Sequence, residues 1–135
     1  MKADDIAFAK YIGLEEENDT LSLDFKPEVH NHVRSIHASA QFALAETKSG
    51  LYLLNLFPEL EEKVVPLLRD ANIKYKKPAL EKIVAYASID DASLEKFKLL
   101  FDKKGRGSIN VKVQVRDINE VLCSEGEFGW FIQKI

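Results

Sequence analysis

One carboxylate stands out by where it lies. Ala38 to about Phe57 is apolar on nearly every helical face, and its only formal charges are Glu46 and Lys48. Burying an ionised acid in such a segment is expensive unless it is paired or protonated. Two readings of Glu46 follow: a general base or nucleophile whose pKa burial has raised, or a carboxylate that hydrogen-bonds across a subunit contact or lies at an exposed edge. The start of the same segment, His37–Ala40, offers backbone N–H groups that no preceding turn can satisfy. They could hold negative charge developing on a carbonyl oxygen, or be satisfied by water, Ser35 or Asn31. Arg69, Lys74, Lys76 and Lys77 form a basic cluster suited to phosphates, or a solvated strand face. His30, His32 and His37 make a weak metal pattern with no nearby Cys or paired acids to complete it, so no metal is expected. Cys123 has no His partner nearby in sequence and reads as a small core residue.

These residues need elements to position them. Residues 4–14 read as a short helix ended near Gly13, and residues 15–19 as a solvated acidic turn. Thr20–Lys26 alternates, with Leu21, Leu23 and Phe25 on one face, and predicts a half-buried strand closed by Pro27. Residues 27–37 are aperiodic and read as a loop. The segment 38–57 predicts a buried helix, broken by Pro58. Its first half is rich in small residues that let other backbone approach closely. Val64–Tyr75, Lys82–Ile89, Ile109–Val115 and Val121–Ile132 predict strands, with Gly126 and Gly129 as candidate bulges. Between them, Asp90 and Asp91 open a helix with an apolar stripe at Leu94, Phe97, Leu100 and Phe101, capped by Gly105. Strands joined by short turns favour antiparallel pairing. The expectation is an α+β fold, an antiparallel sheet curled around one long helix.

Composition bounds the rest. With 135 residues, 46% hydrophobic and 30% charged, the chain is expected to be one globular domain over 1–135. A net charge of −3 argues against nucleic acid as the main partner. One Cys cannot form an internal disulfide, which fits a reducing, cytoplasmic setting. No segment is apolar for long enough to cross a membrane, and Met1-Lys2-Ala3-Asp4-Asp5 does not read as a targeting peptide.

The stretch Asn31-His32-Val33-Arg34-Ser35-Ile36-His37-Ala38-Ser39-Ala40-Gln41-Phe42-Ala43-Leu44-Ala45-Glu46 resembles the signature of hotdog-fold acyl-CoA thioesterases. The closest group is the PaaI-like, phenylacetate-degradation-type branch. That signature runs Asn, two residues, Gly, two residues, His-Gly-Gly, then a helix with Leu-Ala-Asp or Leu-Ala-Glu. Asn31, His37, Leu44, Ala45 and Glu46 match its spacing. The run from Arg69 to Ala79 resembles the family's second strand, which ends in a basic residue, Pro and Ala. The resemblance spans nearly the whole chain. It implies a hotdog fold, a homodimer or homotetramer with sites at the interface, and hydrolysis of acyl-CoA without metal or redox cofactor. It assigns Glu46 to the catalytic carboxylate, from the opposite subunit. The Ala38 N–H becomes the carbonyl-polarising donor, with Asn31 orienting substrate or water and His37 near the thioester. Lys74, Lys76 and Lys77 would meet coenzyme A. Arg34 replaces the signature's Gly, and Ala38-Ser39 replaces Gly-Gly. Arg34 would then contact a phosphate, or pair with Glu46 and silence it. Those departures support an alternative, a non-catalytic acyl-thioester binding or regulatory module. A hydratase would want an Asp/His pair across the site, for which no motif is present.

Overall fold

The computed structural model describes residues 1–135. In chain order the elements are helix α1 (Ala7–Ile12), strands β1 (Glu15–Glu17) and β2 (Thr20–Leu23), helix α2 (Ala38–Leu56), strands β3 (Val64–Tyr75) and β4 (Ile83–Ser88), helix α3 (Asp91–Lys104), and strands β5 (Arg106–Asp117) and β6 (Leu122–Lys134). The six strands form one antiparallel sheet in the order β1-β2-β4-β5-β6-β3. Period-two patterning decides which face is inside. In β5, Ile109, Val111, Val113 and Val115 are buried while the residues between them are exposed. They join Ile83 and Ala85 of β4 and Phe128, Trp130 and Ile132 of β6 in a surface on which Ala40, Leu44, Leu51 and Leu53 of α2 are packed. A sheet curled around one buried helix is the hotdog arrangement.

α2 lies close to the sheet because its residues are small. Ser49 accepts a 2.8 Å hydrogen bond from the Trp130 indole N–H. A Cβ on Gly50 would stand 2.9 Å from Cζ2 of that indole. Gly50→Ala should therefore destabilise the fold by about 1–2 kcal/mol, overpacking against an anchored ring outweighing the gain in helix propensity. Chemical denaturation measures this, and an increase in midpoint would contradict it.

Four expectations need correction. Residues 15–19 do not form only a turn: Glu15–Glu17 pair with Thr20–Ser22, and the turn shrinks to Asn18 and Asp19, at φ 50° and 67°. Positive φ at both positions suits a tight hairpin, and Asn and Asp tolerate it. β2 ends at Leu23 rather than at Lys26, and Phe25 instead stacks on His30 with ring centroids 4.4 Å apart. Gly126 is no bulge, since it stays in register with Ile73 and Val113. It is glycine because a Cβ there would meet the Asn72 carbonyl oxygen at 2.4 Å. Gly129 also keeps its pairing; the irregularity lies opposite, in β3, between Leu68 and Asp70.

β3 closes one side of the sheet and pairs only with β6. Val65 and Leu67 are exposed on it, and from Arg69 to Tyr75 Ile73 is the most covered residue, with Tyr75 about half exposed. No helix is long and apolar enough to cross a membrane.

Candidate active site

The loop before α2 is built by Asn31. Its Oδ1 accepts from the backbone N–H groups of Val33 and Ser35, both at 3.0 Å, and its Nδ2 donates to Ser35 Oγ at 2.8 Å. The loop crosses Arg34 at φ 61°, in the left-handed region that favours glycine. At the position where the signature has glycine, this chain thus holds a backbone conformation that glycine favours. The arginine side chain is exposed and makes no ion pair with Glu46. Asn31 thus shapes the loop with every polar atom it has. Asn31→Ala should cost about 1–2 kcal/mol through those lost bonds. Asn31→Asp, which keeps the two acceptor contacts, should cost less, and thermal melts of the pair measure the difference.

His37 caps α2: its Nδ1 accepts the Ser39 N–H at 2.9 Å, so the neutral ring carries its proton on Nε2. Its carbonyl accepts from Ala40 and Gln41. The first N–H of the helix, on Ala38, has no intrahelical partner and enters no loop or side-chain hydrogen bond. Ala38 is exposed, so this donor is free to meet an incoming carbonyl. Beside it the Tyr75 hydroxyl donates to the Ala38 carbonyl at 3.1 Å, and burial pushes the Tyr75 pKa up. Tyr75 ties the end of β3 to the start of α2.

Glu46 lies two turns further along α2, among Ala43, Leu44, Ala45 and Thr47, all buried. Its side chain is partly covered. Burial pushes its pKa above the ordinary carboxylate value, and the Thr47 hydroxyl opposes the shift more weakly. At 1.5 Å per residue, the eight residues from Ala38 to Glu46 span about 12 Å.

The remaining candidates scatter. Lys74 and Lys76 alternate with Tyr75, so they lie on the side of β3 away from the Ala38 carbonyl. Lys76 pairs with Glu125 at 3.4 Å. Lys74 lines a concavity of about 620 Å³ on the outer sheet face with Lys112, Gln114 and Glu125, apart from Glu46 and Ala38. Lys77 is exposed, and its N–H donates to the Cys123 carbonyl. Cys123 is fully buried and its pKa is raised, chiefly by desolvation. His30 has a buried Nε2 without a partner, His32 is exposed and His37 caps the helix. No three metal-ligating side chains converge. Sequence reasoning missed Tyr75 as a neighbour of the helix start. Its place in the β3 alternation, on the face opposite the lysines, was the available signal.

The family described as "Domain of unknown function (DUF4442)" matches residues 10–132. None of the curated proteins compared matches the sequence. Among solved structures, a Pseudomonas aeruginosa protein described as a "probable thioesterase" superposes with a TM-score of 0.83 at 21% identity, over 98% of this chain and 90% of the other. A Bacillus halodurans protein solved with CoA gives 0.73 at 20% identity, covering 93% and 74%. A Haemophilus influenzae thioesterase gives 0.73 at 18% identity, covering 94% and 82%. These likenesses establish the hotdog fold.

Proposed function

The chain belongs to the DUF4442 family, and from its helix-borne carboxylate we propose that it hydrolyses acyl-CoA thioesters, in the manner of the PaaI-like, phenylacetate-degradation-type branch. The observation that carries this reading is Glu46, a part-buried carboxylate with a raised pKa in an otherwise apolar helix. Residues 1–135 act as one domain. The thioester carbonyl accepts from the Ala38 N–H, which stabilises the tetrahedral oxyanion. Glu46 either removes a proton from the attacking water, so that the free acid forms as the CoA thiolate departs, or attacks the carbonyl itself, expelling the thiolate and leaving a mixed anhydride that water then hydrolyses to the acid and free Glu46. Asn31 keeps the loop in place and His37 holds the helix start beside the thioester. Arg34 and Lys77, both exposed, are the cations we assign to the phosphates of the CoA tail; Lys74 and Lys76 face away from the helix start and take no part. The chemistry invokes no metal or redox cofactor.

The roughly 12 Å of helix between the Ala38 and Glu46 backbones in one chain supports a site shared between two protomers. Each site then takes its amide from one protomer and its carboxylate from the partner, in a homodimer or a tetramer of such dimers. The exposed edge of β3, with Val65 and Leu67 uncovered, supports pairing with a second copy. A free-thiol release assay over short, aromatic and long acyl-CoAs tests the reading, because only hydrolysis liberates CoA. Binding of acyl-CoA without thiol release would replace it with the binding-module alternative.

A further inference from the structure

α2 buries a long polar side chain, Gln41, to 3% exposure. Its Oε1 accepts a 2.7 Å hydrogen bond from the hydroxyl of Ser124, which is fully buried. A buried amide is tolerated when both of its ends are bonded, and here only the oxygen end is. Gln41 Nε2 donates to no group of the chain. Nor is it sealed away, since His30 Nε2 is the one enclosed side-chain polar atom left without a partner. The Gln41 N–H groups therefore face an opening.

Three placements set where that opening lies. Gln41 follows Ala38 by three residues on the same face of α2, and helical side chains lean toward the N-terminus, so the amide overlies the turn that Ala38 begins. Ser124, which holds the amide oxygen, is paired with Tyr75 across β6 and β3, and directly opposed side chains stand about 5 Å apart. The Tyr75 hydroxyl in turn reaches the Ala38 carbonyl. Gln41, Ser124 and Tyr75 thus form one polar cluster at the start of α2, with the amide nitrogen as its unbonded end.

We propose that Gln41 Nε2–H is a second donor to the thioester carbonyl oxygen, beside the Ala38 N–H. The proposal rests on the thioesterase reading and adds a catalytic residue to it. A carbonyl oxygen has two lone pairs; the backbone amide meets one and the side-chain amide the other. Ser124 holds that amide in place, so it need not reorient as negative charge develops. No proton leaves it: the charge formed on oxygen by nucleophilic attack returns to the carbonyl as the CoA thiolate departs.

The test compares steady-state thiol release and melting temperature in the wild type, Gln41→Met and the double variant Gln41→Met with Ser124→Ala. Methionine keeps the length of the side chain and has no donor. The double variant replaces both buried partners with apolar groups, which recovers stability. In both variants kcat should fall about 100-fold, the scale of one lost oxyanion donor, with KM within about threefold of the wild type. If kcat recovers along with the melting temperature in the double variant, Gln41 only packs the core and the proposal is overturned, while the thioesterase reading stands. If the wild type releases no thiol, that reading fails, and the carbonyl site is judged with a ketone analogue of acetyl-CoA, CH2 replacing sulfur and 13C at the carbonyl. A bound carbonyl resonance that moves upfield in Gln41→Met supports the second donor; an unmoved one, or no binding to the wild type, overturns it.

Discussion

Glu46→Gln lowers turnover by roughly two to four orders of magnitude, the scale of a lost general base, while acyl-CoA binding persists. The amide keeps the shape of the side chain and loses only its charge and basicity. In the wild type, the acid limb of kcat/KM should lie above the ordinary carboxylate range, because burial raises the Glu46 pKa. Activity rises with pH as the carboxylate ionises, and the variant lacks that limb. Stability moves the other way. A carboxyl whose folded pKa exceeds its unfolded value contributes stability below the unfolded pKa and loses it as pH climbs through the folded one. At neutral pH the glutamine variant should thus be as stable as the wild type or more so. A glutamine variant with unchanged turnover would move the chemistry to another group.

Ala38→Pro removes the proposed oxyanion donor and little else. Ala38 is the first residue of α2, where proline's fixed φ suits the helix and its missing N–H breaks no intrahelical bond. His37 before it sits at φ −57°, ψ 140°, a conformation proline tolerates in its predecessor. Turnover should fall about 100- to 1000-fold, the measured scale for one lost oxyanion donor, with the melting temperature nearly unchanged. The variant also tests where the site is assembled. Mixed dimers of Glu46→Gln and Ala38→Pro chains contain one intact site if amide and carboxylate come from different protomers. Co-refolding the two inactive variants should then restore a substantial part of wild-type activity. A site contained in one chain predicts no recovery.

The local features were legible because each depends on near neighbours. Period-two alternation marked Val64–Tyr75 to the residue and Ile109–Val115 as the centre of β5. All-round apolarity marked α2, and Asp91, Lys103, Lys104 and Gly105 marked the ends of α3. Where pattern was too short to speak, it misled: Glu15–Glu17 carries three like charges, and it is a strand only because β2 offers it a ladder. Gly126 looked like a bulge because glycine in a strand has two explanations, and only the Asn72 carbonyl across the ladder selects close approach over bulging.

The candidate site divides in the same way. The sequence by itself determined that one carboxylate lies within an apolar helix, that a short polar loop precedes that helix, and that a basic run ends a strand. Helix and loop chemistry act over a few residues, so type and spacing suffice to specify them. Only the tertiary structure decided that Tyr75, and not its lysine neighbours, reaches the start of α2, that Asn31 is consumed in holding the loop, and that Phe8 and Ile12 of α1 share a cavity wall with His37, Ser39 and Ala40. Those outcomes depend on how the twist of the sheet and the packing of α2 bring residues distant in the chain to one place, and that position is fixed by the whole core rather than by any local pattern.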